Sequence, residues 1–382
     1  MLWNIINLIY RWNNIRRWNN YPRVQDIVEN EHIALKLHIA YITTRILQEK
    51  WKNINLLYIF KNIFISSFFT FIYSDIKYDV KFHLRENYKK IYNKLREQLA
   101  NFFVDLDLPT NIENDFKLIF SSKIENKLFV QDFDIENDII SFVKFFEINM
   151  ELKVNSKVYP DIYSEIVNNS KSKYLEIWEK IWISEFDLLE KYILNLMKLK
   201  FSYRWNRTKR DYPVSVLSHL FLVFSFSYIL ASLKNFDEKD FEKILIKSLL
   251  HDVPEAFTWD VITPTKKSVQ WFSKALEEIE VSLVEKNILK DFEKYNFKNE
   301  LKIAMLEPFS DEIWKVAKLA DHLSAMFEAK IENTENYFKV YKNIKKYLWL
   351  KEDKQLDYIL KYWVDSFDED VEEKWKKFIW II

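Results

Sequence analysis

The chain of 382 residues contains no glycine and no cysteine, and only 7 prolines. Without cysteine there can be no disulfide, no thiolate metal ligand and no thiol nucleophile. A reducing, cytoplasmic setting is therefore expected. Neither sign of charge is in excess, with Lys+Arg and Asp+Glu at 57 each. That balance gives no electrostatic footprint for nucleic acid and no polybasic signal for a membrane. No cleavable signal segment is evident. The most apolar run, 59–73, is interrupted by Lys61 and Asn62. It falls short of the roughly 20 residues that span a bilayer, so a buried core helix is expected.

The missing glycine is the stranger deficit, since average usage is about 7%. Helix ends and tight turns need residues with positive φ, which glycine supplies at least cost. Tryptophan, by contrast, is abundant at 14. We expect some of these tryptophans to stand at glycine positions. A UGA codon read as glycine by the organism but translated as Trp would produce this pattern. The abundance of Lys, Asn, Ile, Phe and Tyr fits the AT-rich genome in which such a reassignment is plausible. Trp259 is the clearest case.

Hydrophobic residues make up 49% and aromatics 17% of the chain, enough for sizeable cores. Leu189, Tyr192, Ile193, Leu196 and Leu199 follow helical spacing, as do Ile313, Val316, Ala317, Ala320 and Phe327. The segment 214–233 is apolar nearly all round, which predicts a central buried helix. No run alternates as a strand would, so the expected fold class is all-α.

The richest stretch is His251-Asp252-Val253-Pro254-Glu255, followed by Thr258-Trp259-Asp260 and Thr263-Pro264-Thr265-Lys266. The chain has only 6 His, and another of them, His219, lies in the apolar segment 214–233. Asp321 sits in an apolar helical stripe, where a carboxylate is costly unless paired or metal-bound. Lys318 and Lys315 are its alternative salt-bridge partners. Together His219, His251, Asp252 and Asp321 read as a site for one divalent ion: Mn, Co, Fe, Ni or Zn. Glu255, four residues after His251, is placed on the same helical face. Such an ion acidifies bound water, and phosphate ester hydrolysis is the natural fit. Glu255 and Asp260 would move protons. Arg204 and Lys266 would bind phosphate, Arg as a fork and Lys as a point charge. His38, His83 and His322 are read as structural or surface residues.

The chain also repeats itself. Arg17-Trp18-Asn19 precedes His32, and Arg204-Trp205-Asn206 precedes His219, with fifteen residues from Arg to His in each case. An apolar helix follows each His. Tyr73-Ser74-Asp75-Ile76 aligns with Thr258-Trp259-Asp260-Val261. On that alignment Ser66-Ser67 fall where His251-Asp252 stand, and Thr70 falls where Glu255 stands. The segment 138–152 resembles the helix carrying Asp321, with Glu147 at the Asp position. Two tandem helical bundles are expected, 1–184 and 185–382, and only the second keeps the full ligand set.

These residues resemble the HD superfamily of metal-dependent phosphohydrolases, and more closely its bacterial 5′-deoxynucleotidase branch. The resemblance covers about 185–335. It implies an all-α HD domain whose ion is held by His219, His251, Asp252 and Asp321. It implies catalytic roles for Glu255 and Asp260, and phosphate or substrate binding by Arg204 and Trp205. It further implies release of phosphate from deoxyribonucleoside 5′-monophosphates, often by a homodimer. The chain departs from the family where Ser218, rather than Glu, precedes His219, and where Trp259 stands at a common glycine position. The expected function is thus a soluble phosphomonoesterase acting on a small phosphorylated substrate, a nucleotide. A phosphodiesterase, a nucleotide triphosphohydrolase or a non-catalytic ligand-sensing module are the alternatives. Neither nucleic acid nor membrane is an expected partner.

Overall fold

The computed structural model describes residues 2–18, 20–50, 53–73, 76, 78–105, 108–121, 134–205, 210, 213–259, 261, 263–266, 268–308, 310 and 313–332. The protein is all-α, with no strand among the described residues. The first half contains α1 (Leu2–Arg11), α2 (Glu29–Lys50), α3 (Leu56–Ile72), α4 (Tyr78–Asn87), α5 (Lys89–Asp105), α6 (Thr110–Ser121), α7 (Asp134–Val158) and α8 (Pro160–Ile181). The second contains α9 (Phe186–Leu196), α10 (Val216–Leu233), α11 (Glu238–Leu250), α12 (Glu255–Thr258), α13 (Thr263–Lys266), α14 (Phe272–Asn287), α15 (Lys298–Leu306) and α16 (Trp314–Ile331).

The two most apolar segments become central helices, as their composition dictates. α10 is long and apolar enough to cross a membrane by length and composition, but nearly all of it is buried inside the protein. Its start is fixed by Ser215, whose side chain accepts a hydrogen bond from the Ser218 amide at 3.1 Å. Asn55 caps α3 the same way, through the Tyr58 amide at 2.8 Å. Phe221, Phe224 and Tyr228 recur at helical spacing on α10. They surround Phe64 of α3 at ring distances of 6.0, 6.1 and 4.9 Å. Truncating such a fully buried ring to Ala costs about 3–5 kcal/mol. Trp12 is equally buried, stacked on Phe221 at 5.7 Å.

In each half three helices pack on one another: α2 with α3 and α7, and α10 with α11 and α16. The segment ahead of each central helix folds alike. Arg16 bridges Val28, and Tyr203 bridges Ser215. The amide of Arg17 donates to the Ile27 carbonyl at 2.9 Å, and that of Arg204 to the Val214 carbonyl at 3.0 Å. Trp18 and Trp205 follow with φ of 58° and 51°.

The leading helices cross over. From α1, Tyr10 packs on Phe327 of α16 at 5.5 Å and donates to Glu332 at 3.2 Å. From α9, Tyr192 meets His38 of α2 at 2.9 Å and Phe186 packs on Phe142 of α7 at 6.1 Å. A boundary at 184 cuts the chain between α8 and α9, yet α9 rests against first-half helices. Arg45 of α2 ties the halves further. It binds Glu242 of α11 at 2.7 Å and Glu300 of α15 at 2.8 Å.

Positive φ occurs among the described residues at Trp18, Asn53, Trp182, Trp205, Asn235, Trp259 and Trp271. Asparagine tolerates this region, whereas a bulky side chain there is a genuine outlier. The tryptophans sit where glycine is ordinarily required: Trp182 ends α8 at φ 51° and Trp259 ends α12 at φ 64°.

Candidate metal centre

His219 enters the site from the first turn of α10 and is completely buried. His251 caps the end of α11, where its amide still bonds the Lys247 carbonyl at 3.0 Å. Asp252 follows in the turn, and Asp321 projects from the middle of α16. The four converge. His219 Nε2 lies 3.3 Å from Asp321 Oδ1 and 3.6 Å from Asp252 Oδ2, and His251 Nε2 lies 3.3 Å from Asp252 Oδ2. The two imidazole centroids are 5.7 Å apart.

The outer nitrogens are held from behind. His251 Nδ1 faces the Ser248 carbonyl at 2.9 Å. His219 Nδ1 faces Ser324 Oγ at 3.2 Å and Glu328 Oε1 at 3.5 Å. Metal-binding histidines are oriented in this manner, with one nitrogen on an acceptor and the other on the ion. Both Nε2 atoms are turned inward to the carboxylates. Ligand atoms sharing an ion at about 2.1 Å lie roughly 3 to 3.4 Å apart. The two 3.3 Å separations fall in that range and the 3.6 Å one just beyond it, so the residues present fit one divalent ion.

The electrostatics agree. Burial pushes the Asp252 carboxyl up, but His251 and then His219 pull it well below the usual range. Burial opposes ionisation of Asp321 as well, and Lys318 ahead of His219 and His251 holds it far down. Burial lowers His251, yet Asp252 outweighs it and the net shift is upward. Both carboxylates are thus ionised and ready to ligate.

Glu255 starts α12 rather than continuing α11, which corrects the expectation that it shares a helical face with His251. Residues 251–254 form a turn, because Pro254 disfavours helical backbone at Val253. Asp260 lies outside the described residues. Arg204 reaches toward Glu328 at 4.0 Å with 13% of its side chain exposed. Trp205 is half-buried, with the Arg210 guanidinium 5.0 Å above its ring. Lys266 ends α13, its carbonyl accepting from Ser273 Oγ at 3.0 Å. Among the described residues no contact joins Lys266 to the ligand cluster.

Lys318, expected as a salt-bridge partner of Asp321, enters the site, together with two residues that sequence spacing left unassigned, Glu328 and Arg210. Lys318 donates to Asp321 Oδ2 at 2.8 Å, while Oδ1 faces His219, so the salt bridge leaves one oxygen turned to the cluster. Glu328 and Arg210 pair at 3.1 Å behind His219. Glu328 stands seven residues after Asp321, two turns along one face, and that spacing was the available signal.

A second cluster joins His32, Glu147 and Glu151 in the first half. His32 Nδ1 meets Glu147 Oε1 at 2.7 Å. Glu151 is already taken by Arg17 at 3.0 Å and by the Trp18 indole at 2.7 Å. Where the second half has His251-Asp252, Ser67 turns its hydroxyl to the Ile63 carbonyl at 2.6 Å. Glu151 thus already holds one of the protein's own cations.

Residues 191–367 match the family of YfbR-like 5′-deoxynucleotidases. That match lies wholly within the second half of the chain. The matched range contains Arg204, Trp205, His219, His251, Asp252, Glu255, Lys266 and Asp321, whereas Arg17, His32 and Glu147 lie outside it. Among solved structures, an HD-domain phosphohydrolase from Listeria innocua is 23% identical, with a TM-score of 0.41, over 49% of this chain and 92% of its own. No curated protein matches the chain.

Proposed function

We propose that the second half releases phosphate from (deoxy)nucleoside 5′-monophosphates, using one divalent ion held by His219, His251, Asp252 and Asp321. The observation that carries this reading is the convergence of two buried imidazoles, through their Nε2 atoms, on the Asp252 and Asp321 carboxylates at 3.3 to 3.6 Å. When bound, the ion supplies acidified water and neutralises phosphoryl charge. Arg204, backed by Glu328, offers a guanidinium fork to the phosphate. Lys318 adds a point charge beside Asp321. Trp205 flanks the phosphate arm, and Lys266 contributes a cation from α13. Glu255 and Asp260 orient the attacking water and deliver a proton to the leaving alcohol.

The test is phosphate release by metal-stripped protein reloaded separately with Mn²⁺, Co²⁺, Ni²⁺, Fe²⁺ or Zn²⁺. Deoxynucleoside monophosphates should yield inorganic phosphate, and Asp252→Ala should abolish the release. Equal turnover by the variant sinks the assignment. A triphosphate or linear-nucleotide product would instead identify a triphosphohydrolase or phosphodiesterase on the same metal centre.

A further inference from the structure

We infer that Glu328 is a positioning residue that joins the metal ligand His219 to the phosphate arm Arg204, so that one buried carboxylate sets both. The inference rests on the metal reading above.

Glu328 is completely buried on α16. Its Oε1 faces His219 Nδ1 at 3.5 Å, Arg204 Nε at 4.0 Å and the Ser324 hydroxyl at 3.4 Å. Its Oε2 faces Arg210 Nη1 at 3.1 Å. A carboxylate in such a place is costly unless its charge is met, and two guanidiniums meet it. With His219 Nε2 turned to Asp252 and Asp321, its Nδ1 must carry the proton if Nε2 is to ligate. Ser324 and Glu328 receive that proton. An acceptor on the outer nitrogen fixes the tautomer and ring plane and raises ligand basicity. The same carboxylate draws Arg204 and Arg210 inward, and Arg210 covers Trp205. Arg210 is braced in turn by Tyr10 of α1 at 3.3 Å, so the first half supports this assembly.

The first half contains a natural control. There Arg17 clamps Glu151 of α7 at 3.0 and 3.1 Å, yet His32 meets Glu147 at 2.7 Å. An arginine on a closing-helix glutamate is common to both halves. Among the described residues, the second-half glutamate also backs a histidine whose other nitrogen faces two carboxylates.

The experiment measures Mn²⁺ affinity by chelator competition, and inorganic phosphate as a competitive inhibitor, for wild type, Glu328→Gln, Glu328→Asp and Glu151→Gln. Loss of an outer partner of a metal ligand costs about 10- to 100-fold in metal affinity. Glu328→Gln should show that loss together with weaker phosphate inhibition, while Glu151→Gln binds Mn²⁺ as wild type does. Glu328→Asp keeps the charge for Arg204 and Arg210 but withdraws it by one methylene. It should fold and still lose Mn²⁺ affinity, which keeps the test decisive if Glu328→Gln fails to fold. A folded Glu328 variant with wild-type Mn²⁺ affinity overturns the positioning role while leaving the metal centre standing. Wild-type protein that takes up no divalent ion overturns the metal reading itself.

Discussion

Trp18 and Trp205 occupy the same turn in the two halves of the chain. Each follows an arginine whose amide closes a bridge, and each has left-handed φ, 58° and 51°. An L-residue with a side chain pays about 1–2 kcal/mol in this region. Glycine escapes that cost but gives up roughly 0.5–1 kcal/mol of chain entropy on folding.

The exposed members of the set isolate this balance, because they lose little packing when trimmed. Trp182, Trp259 and Trp271 are 73%, 70% and 71% exposed, with φ of 51°, 64° and 70°. Trp→Gly at each should therefore stabilise the protein by about 0.5–1 kcal/mol, and Trp→Ala should not. Denaturant unfolding of the paired variants measures the difference. Peptide mass mapping of the protein from its own cells checks the recoding expectation, which requires glycine at position 259. Tryptophan there refutes it for that site.

Much of this was legible in the sequence. The all-α class and the central helix at 214–233 follow from periodicity and continuous apolarity. The convergence of His219, His251, Asp252 and Asp321 could be read because imidazoles and carboxylates in apolar surroundings are costly unless they meet partners. The placement of Glu255 was misjudged, because a helical register was carried through Pro254. The crossing of α1 and α9 was not readable, since it depends on which bundle each amphipathic face meets after folding. Glu328 was missed for a related reason. Its partners His219, Arg204 and Arg210 are distant in sequence, and only tertiary packing brings them to α16.

One ion per chain is the expected stoichiometry. His219→Ala and Asp321→Asn should each remove Mn²⁺ binding, whereas His32→Ala should not. In the first-half cluster Glu151 is already engaged by Arg17 and Trp18, and Glu147 by His32. A ligand at 100 times its Kd stabilises the folded state by about 2.7 kcal/mol. Mn²⁺ should therefore raise Tm in the wild type and in His32→Ala but not in His219→Ala. Two equivalents of ion in elemental analysis would contradict this division between the halves.

His38 gives a pH dependence remote from the metal centre. It is completely buried against the Tyr192 hydroxyl at 2.9 Å, and burial pushes it down to about 3. An unfolded histidine titrates near 6.5. Between those values the unfolded chain binds a proton that the folded chain refuses. Stability is therefore full above about pH 6.5 and falls as pH drops toward 3, by about 1.4 kcal/mol per unit for this one group. His38→Gln leaves Tyr192 a polar partner and removes the titration. Its stability should decline less steeply across that window in denaturant titrations. Equal slopes for the two proteins would assign the acid sensitivity elsewhere.

Lys318 should act in opposite directions on metal and on phosphate. Its ammonium donates to Asp321 Oδ2 at 2.8 Å while Oδ1 faces His219 Nε2 at 3.3 Å. A cation on one oxygen drains the charge that the other offers to an ion, and two cations sharing a carboxylate repel each other. Lys318→Met removes the competing charge and keeps the apolar stem. Mn²⁺ should bind this variant more tightly than wild type. Inorganic phosphate should inhibit it more weakly, because a point charge beside the anion is gone. Neither a loss of fold nor a general loosening of the site produces this pairing of a gain with a loss. Weaker binding of both ligands would instead make Lys318 a brace that holds Asp321 in place.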